Sequence, residues 1–331
     1  MIVASNVIGL VPRTSLFCNP MDTPSSMDMR VNINSCWTQS LQRGERPTHA
    51  NLREHLLAVH RMYPGFTESF ALQCQDALGR NSYELLANVV DPTRHSNILD
   101  LACGSGVLLE ICRRRCGPEA VLTGIDISPE ELALARKRNP DPTIQLHQGV
   151  AQDLHYLGDA TVDVVLCHWA LTLMGEVPQV LSEARRVLKP DGIFAAVVDG
   201  DPASAPGYAE VHDIIYDLVQ HDHPDYGAID LGDPRVRTAQ ALKEIALLSF
   251  EGARVDIEPV VLNLGGAPEL LAREAAGFFY ASFVLSPPVH RQMLKKLENL
   301  FVGQKKDHES RFSLPVNQIV IRKQEPWKIA E

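Results

Sequence analysis

Short apolar runs alternate with helical patterns after Pro92, and no other feature limits the fold of this chain as strongly. Such alternation is typical of a mostly parallel β-sheet whose strands are joined by crossover helices. The apolar runs predict five strands, at 97–102, 121–126, 143–147, 162–167 and 192–198. Helices are predicted between them at 107–116, 129–139 and 176–188. The fold class that follows is α/β, with a doubly wound, Rossmann-like sheet.

The rest of the chain predicts two more strands and helical caps around the sheet. Alternating residues predict strands at 253–262 and 316–321, which would bring the sheet to seven strands. Helical patterns cover 50–90, 237–248 and 267–301, the last broken at Pro287-Pro288, whereas the acidic, proline-rich stretch 199–233 predicts an irregular segment. Ser128 as N-cap, Pro129, and Glu131 as capping-box partner predict where the second crossover helix begins.

Domain boundaries follow from these patterns. Residues 1–48 are rich in Ser, Asn, Pro and Thr without a sustained period, and we expect a disordered leader there. Residues 49–331 are expected to form one domain. Its parts would be an N-terminal helical cap (49–93), a cofactor-binding half (94–200), and the remaining strands with cap insertions (201–331).

Charge and cysteine content disfavour several function classes. A net charge of −10 over 331 residues, without a sizeable basic patch, disfavours nucleic acid and membrane surfaces as partners. Seven cysteines without a Cys-x-x-Cys pair, and no recognisable export signal, predict a cytoplasmic location. His221, Asp222 and His223 have the composition of a metal-ligand cluster, but a solvated loop is the favoured interpretation and no metal is expected. The oligomeric state is left open.

A strand, a glycine turn and a helix follow one another at 98–106, where the sequence is Ile-Leu-Asp-Leu-Ala-Cys-Gly-Ser-Gly. Glycine suits a turn at which a ligand approaches the backbone closely. Asp126 follows Gly106 by 20 residues and ends the next strand, where a carboxylate can accept hydrogen bonds from a ribose diol. A dinucleotide is disfavoured because the third glycine of such a loop would fall at Leu109, and the Gly-Lys-Ser/Thr of a phosphate loop is absent. The segment predicts a nucleoside ligand without phosphate.

Four motifs follow one another between residues 96 and 199. They are Leu-Asp-Leu-Ala-Cys-Gly-Ser-Gly at 99–106, Gly-Ile-Asp-Ile-Ser at 124–128, Val-Asp-Val-Val-Leu-Cys at 162–167 and Arg-Val-Leu-Lys-Pro-Asp-Gly at 186–192. Together they resemble the class I S-adenosylmethionine-dependent methyltransferases. The resemblance implies S-adenosyl-L-methionine as cofactor and transfer of its methyl group to an N, O or C acceptor on a small metabolite, as in secondary metabolite biosynthesis.

The resemblance also implies roles for individual residues. Asp100 would orient the methionine ammonium group, Asp126 would hold the ribose hydroxyls, and Ile127 would pack on the adenine. The glycine-loop backbone would pass under the cofactor, and Cys167 would lie near its methionine end. The cofactor-binding residues implied in this way are Asp100, Ala102, Cys103, Gly104, Gly106, Asp126, Ile127, Ala151, Gln152 and Cys167.

One position departs from the family pattern. The family often has an acidic residue after the third strand that accepts a hydrogen bond from the adenine amino group, and this chain has Val150 there. The contact would fall instead to Gln152, Asp153 or a backbone carbonyl.

Three ring-bearing residues are candidates for the chemical step. A sulfonium is already activated, so only some acceptors need a general base, and His168 after the fourth strand is the best-placed group for that role. The alternative for His168 is a ring packed under the cap with no proton to move. Trp169 could lie against the sulfonium or the acceptor, or in the core. Tyr63 could belong to a lid, or only pack the cap helices.

Two further function classes are weighed. The cofactor could instead donate its aminocarboxypropyl group, or cyclise it to a four-membered-ring amino acid with release of methylthioadenosine, because the fold fixes where the cofactor lies and not which carbon is attacked. A non-catalytic cofactor-binding scaffold is disfavoured, since Asp100, Gly104, Gly106 and Asp126 are all present.

Overall fold

A seven-stranded sheet forms the centre of the computed structural model, which describes residues 33–46, 48–227, 232–304 and 310–324. Its strand order is β3-β2-β1-β4-β5-β7-β6, and β7 runs opposite to the other six strands. The predicted doubly wound α/β fold is thereby confirmed. The strands are β1 Asn97–Leu101, β2 Val121–Asp126, β3 Gln145–Gln148, β4 Val162–His168, β5 Leu188–Asp199, β6 Arg254–Gly266 and β7 Ser310–Arg322.

Helices cover both faces of this sheet. The described helices are α1 Cys36–Gln42, α2 His49–Met62, α3 Glu68–Gln73, α4 Ser82–Ala87, α5 Val107–Cys116, α6 Pro129–Arg138, α7 Val177–Val187, α8 Tyr208–Asp222, α9 Ala239–Ser249, α10 Pro268–Phe278 and α11 Pro287–Gly303. Successive strand residues point to opposite faces. Ile98 therefore packs in one core with Leu108 of α5, whereas Leu99 packs in the other with Leu181 of α7.

The leader boundary at residue 48 is wrong for residues 33–46. Ile33, Trp37 and Leu41 recur at four-residue spacing and are buried, so they form one apolar face along α1 and the residues before it. The Trp37 ring packs edge-on against His55 of α2 with 4.6 Å between ring centroids, and Ser35 Oγ lies 2.9 Å from His55 Nδ1. Residues 1–32 of the predicted leader lie outside the described residues.

Two further sequence predictions need correction. The stretch 199–233 was expected to be irregular but contains the helix α8, because Val211, Ile215 and Val219 recur on one buried face. The Pro287-Pro288 pair does not break a helix but begins α11, at a position where a missing N–H costs no hydrogen bond.

Gly124 in β2 allows α5 to pack closely on the sheet. A Cβ atom at Gly124 would lie 2.7 Å from Leu109 Cδ1 and 2.9 Å from both Cys103 Sγ and Leu146 Cδ2. Leu109 occupies the place of the third glycine of a dinucleotide loop and is fully buried. Close helix–strand packing is thus achieved here with the small residue on the strand.

We predict that Gly124→Ala destabilises the fold by about 1–3 kcal/mol, because the added methyl group overpacks the contact with Leu109. Chemical denaturation followed by circular dichroism would measure the free energy of unfolding. Gly303→Ala is the matched control, since a Cβ atom there meets nothing within 4 Å. Equal stability of the two variants would contradict the packing argument.

His55 gives the fold a dependence on pH. Its ring is fully buried, and burial lowers its pKa from 6.5 to about 4. The unfolded chain therefore binds a proton at His55 more readily than the folded protein does. The contribution of the neutral ring to the free energy of unfolding is complete above pH 6.5 and is lost as the pH falls toward 4. At pH 5 the loss amounts to about 2 kcal/mol.

We predict that His55→Gln removes this part of the pH dependence, although it lowers stability at pH 7. The measurement is the free energy of unfolding at pH 7 and pH 5 for the wild type and the variant. His155→Gln serves as control because His155 is exposed. An unchanged difference between the two pH values in His55→Gln would refute the assignment.

Candidate cofactor and acceptor site

A cavity of about 1400 Å³ lies at the carboxyl ends of β1, β2, β4 and β5. In an open parallel sheet this edge is where ligands bind, at the point where the strand order reverses. Here β1 lies between β2 and β4, so the reversal occurs at β1. The lining residues from the sheet and its loops include Asp100, Ala102, Cys103, Gly104, Asp126, Ile127, Ala151, Gln152, His168, Trp169 and Asp199.

Asp126 holds the glycine loop in place. Its Oδ2 accepts a hydrogen bond of 2.8 Å from the Gly104 N–H, and its Oδ1 accepts one of 2.8 Å from the Ser128 N–H. Ala102 and Gly104 have φ values of 59° and 50°, so the turn uses the left-handed region at both positions. Burial raises the Asp126 pKa, and the two amide hydrogen bonds oppose this rise. Each carboxylate oxygen keeps a lone pair that could accept a hydrogen bond from a hydroxyl group.

Asp100 is a buried carboxyl group without a hydrogen-bond donor among the described residues. Both of its oxygens are buried and accept no hydrogen bond from a described residue. Burial raises its pKa to about 8, and the nearby Asp126 charge adds to the rise. A buried ionised group without a partner is strongly unfavourable. The residues therefore fit a cationic ligand group at this point, such as the ammonium of a methionine moiety.

Gly106, Cys167 and Tyr63 are predicted site residues that the structure places outside the cavity lining. Gly106 packs against α6, where a Cβ atom would lie 2.6 Å from Asn139 Nδ2. Cys167 is fully buried in β4, and burial raises the pKa of its thiol to about 12. The Tyr63 ring packs on Phe283 with 5.5 Å between centroids. These surroundings correspond to packing roles, and the ligand roles of the three residues stay predictions.

Because Val150 stands where the family often has an acidic residue, the adenine contact was expected to fall to Gln152, Asp153 or a backbone carbonyl. The structure places these candidates along one wall of the cavity. Val150, Ala151, Gln152 and Asp153 all line the cavity. Gln152 Nε2 donates a hydrogen bond to the Gly175 carbonyl over 3.1 Å. The other end of the amide, Oε1, is therefore left to accept a hydrogen bond from an amino group.

His168 is held as a neutral ring at the end of β4. It stacks on Tyr83 with 3.8 Å between centroids and an interplanar angle of 17°, and its Nε2 lies 2.8 Å from Ser82 Oγ. Burial lowers its pKa to about 3. Because so weak a base takes up little proton at neutral pH, this geometry favours the packing alternative. The base role of His168 stays a prediction.

Trp169 adopts an uncommon backbone conformation beside His168. Its φ is 54°, a value that costs a residue with a large side chain conformational energy, and such outliers occur often at functional sites. The indole lines the cavity and packs edge-on against Phe278 with 5.1 Å between centroids. The two predicted positions, cavity wall and core, are therefore combined in one side chain.

Glu131, in the first turn of α6, joins this helix to the helical cap. Its side chain does not complete the predicted capping box. Oε1 instead lies 2.7 Å from His60 Nδ1 and accepts a 2.8 Å hydrogen bond from the Gly65 N–H. His60 Nε2 in turn lies 3.0 Å from the Tyr280 hydroxyl. The capping rule misled because it considers only local partners, whereas a cap residue distant in sequence competes for this carboxylate.

A second polar connection joins the cap to the glycine loop. Ser105 Oγ donates to Glu68 Oε2 over 2.7 Å, and Arg138 Nη1 donates to Ser105 Oγ over 3.1 Å. Arg138 also pairs with Glu68 at 2.5 Å. The cap is thus fastened to α6 at two points, through Gly65 to Glu131 and through Glu68 to Arg138.

One wall of the cavity was missed by the sequence analysis. Asp199 at the end of β5 and Tyr208, His212 and Tyr216 on one face of α8 line it. Their spacing of four along α8 is the signal that could have identified this wall. His221 and Asp222 end the same helix, and the described residues contain no group of three His, Cys, Asp or Glu residues that could hold a metal ion.

None of the described helices combines the length and the apolar character that a bilayer crossing requires.

Comparisons with known proteins agree with this geometry. Residues 99–196 match the family described as a methyltransferase domain. The demethylmenaquinone methyltransferase of Symbiobacterium thermophilum is 38% identical over 112 residues, which is 33% of this chain and 44% of that protein. The enzyme of the same name from Lactobacillus johnsonii is 36% identical over 110 residues, 32% of this chain and 45% of that protein. The chain thus matches less than half the length of these relatives.

Solved structures with the same fold are more distant in sequence. A protein of Anabaena variabilis assigned as a methyltransferase from an antibiotic biosynthesis pathway has a TM-score of 0.55 and 15% identity, covering 76% of this chain and 98% of that one. The [4+2]-cyclase SpnF has a TM-score of 0.52 and 18% identity, covering 85% of this chain and 98% of that one. These likenesses concern the fold alone. The family match and the four ordered motifs identify the segment 99–196 as a methyltransferase domain of the class I type.

Proposed function

We propose that this protein transfers the methyl group of S-adenosylmethionine to an N, O or C atom of a small molecule. The observation that carries the proposal is the pair of buried carboxyl groups, Asp100 and Asp126, which line one cavity together with the glycine loop. Asp100 has no hydrogen-bond donor among the described residues and fits an ammonium group, and Asp126 keeps acceptor capacity for a ribose diol. The matched family and the names of the relatives support the same reaction.

Each part of the cofactor has a proposed set of contacts. Asp100 would hold the ammonium, Asp126 the ribose hydroxyls, and Ile127 with Ala151 and Gln152 would surround the adenine. The sulfonium supplies an activated methyl group when the cofactor is bound. The protein then has to align the acceptor with that carbon and exclude water.

The volume of the cavity supports a second, simultaneous ligand. A pocket for one ligand of drug size spans about 300–1,000 Å³. The cavity of about 1400 Å³ continues beyond the cofactor residues to Asp199 and α8. A small-molecule acceptor would occupy that part of the cavity.

The cytoplasmic location of the protein stays a prediction.

The alternative reaction, which releases methylthioadenosine, gains no support here. The cyclase SpnF resembles this chain at 18% identity, which concerns the fold and not the reaction. The relatives that match in sequence are named as methyltransferases.

We predict that Asp126→Ala weakens S-adenosylmethionine binding by at least about tenfold, because charge-assisted hydrogen bonds to the ribose are lost. Isothermal titration calorimetry on the purified chain would measure the dissociation constant. Asp159→Ala is the control, since Asp159 is an exposed carboxylate that pairs with Arg186 outside the cavity. Equal affinity in the Asp126 and Asp159 variants would remove the cofactor assignment.

Cofactor binding should also release a proton. At pH 6 the free α-amino group of the cofactor is already protonated, since its pKa is about 8. Asp100 is protonated as well, because burial raises its pKa to about 8, and pairing with the ammonium would ionise it. Calorimetry at pH 6 in buffers of different ionisation enthalpy should find close to one proton released in the wild type and none in Asp100→Asn. Release of the same number of protons by both proteins would contradict the role of Asp100.

A further inference from the structure

The cavity continues past the cofactor residues to a carboxylate at the end of the next strand. In the sheet, β4 lies between β1 and β5, so Asp199 follows Asp100 at a distance of two strands. Neighbouring strands are about 4.8 Å apart, which places the ends of β1 and β5 about 10 Å from each other. A methionine moiety held at Asp100 would therefore lie within about 10 Å of the end of β5, where Asp199 lines the same cavity.

The Asp199 carboxylate has no hydrogen-bond donor among the residues that the structure describes. Asn317 Nδ2 donates instead to the Asp199 backbone carbonyl over 3.3 Å. The side chain is partly exposed because it faces the cavity. Burial raises its pKa to about 6, and Arg237, which lines the same cavity, opposes the rise. Asp199 is thus largely ionised at neutral pH and remains able to accept a proton.

Aromatic rings on α8 and directly after α10 line the same cavity as this carboxylate. On α8, the His212 and Tyr216 rings are stacked, with 4.1 Å between centroids and an interplanar angle of 15°. Phe279, directly after α10, packs on Tyr208 with 5.9 Å and edge-on against Tyr216 with 6.5 Å between centroids. Flat aromatic surfaces favour stacking or edge-on contacts with another ring. The wall therefore fits a planar, unsaturated ligand better than a flexible aliphatic one.

Two hydroxyl groups of this wall are available to a ligand. Neither the Tyr208 nor the Tyr216 hydroxyl has a hydrogen-bond partner among the described residues. Burial raises the pKa of both, and the Asp199 charge adds to the rise. Both tyrosines therefore stay protonated and can donate hydrogen bonds to oxygen atoms of a ligand.

We propose that the acceptor is a planar aromatic compound carrying a hydroxyl group, and that Asp199 is the catalytic residue that accepts the proton of this hydroxyl. The proposal rests on the methyl transfer proposed above and adds the class of acceptor and the base. Stacking on His212 and Tyr216 holds the ring, and the carboxylate selects a hydrogen-bond donor at one edge of it.

The step balances without any further reactant. The hydroxyl oxygen forms a bond to the methyl carbon, and the carbon–sulfur bond breaks with its electron pair staying on sulfur. The sulfonium becomes a neutral thioether, and the proton of the hydroxyl passes to the Asp199 carboxylate and then to water. Asp199 is better suited to this transfer than His168, because His168 Nε2 is occupied by Ser82 and the ring is a much weaker base.

The experiment uses the full chain loaded with S-adenosylhomocysteine and two bicyclic probes, 2-naphthol and 2-methylnaphthalene. Calorimetry should find 2-naphthol bound at least about tenfold more tightly than the hydrocarbon, because only the naphthol gives Asp199 a hydrogen bond to a charged group. In Asp199→Asn this preference should fall below about twofold, with the affinity for the hydrocarbon unchanged. Asp217→Asn is the matched control, since Asp217 is exposed on α8 and does not line the cavity.

Turnover provides the second readout. A panel of phenol, catechol and 2-naphthol with S-adenosylmethionine should yield a methyl ether, and Asp199→Asn should lower kcat/KM by at least about 100-fold, the size expected for a general base. Tyr216→Phe should keep the fold and lower the affinity for the same probes. Absence of any preference for the hydroxylated ring, or equal turnover in Asp199→Asn, would overturn the proposal. If the wild type does not bind S-adenosylmethionine, the proposed function itself is refuted.

Discussion

The two hydrogen bonds accepted by the Asp126 carboxylate determine the arrangement of the site. One comes from the Gly104 amide in the turn before α5, and the other from the Ser128 amide in the turn before α6. A single side chain therefore fixes where both helices leave the sheet. The same carboxylate lines the cavity, so the group that shapes the loop would also meet the proposed ligand. Under the proposed function, loop structure and ligand recognition would depend on one residue.

The cofactor half of the fold is predictable from sequence because its signals are local. The helix at 107–116 and the strand at 121–126 were predicted at the bounds that the structure has, since apolar period and turn residues coincide there. α8 was missed because its cavity face carries Tyr208, His212 and Tyr216, which weaken the apolar stripe that identifies a helix. The acidic residues on its other face add to the impression of an irregular segment.

The candidate site shows the same division. Asp100 and Asp126 belong to motifs within 30 residues of each other, so their meeting could be expected. Asp199 and Tyr216 come from separate segments, and only the strand order and the packing of α8 bring them to one cavity. Glu131 was assigned a local partner, whereas its contacts with His60 and Gly65 span more than 60 residues. Contacts between residues so far apart in the chain leave no periodic pattern in the sequence, so they could not be predicted from it.

The uncompensated carboxyl group of Asp100 has a consequence for product inhibition. Loss of the methyl group leaves the ammonium end of the cofactor unchanged, so Asp100 would attract the spent thioether as strongly as the methyl donor. An interaction that is equal before and after the reaction adds affinity without accelerating the chemical step. Turnover would then depend on how quickly the cell removes the spent cofactor, and the ratio of the two forms would set the working rate.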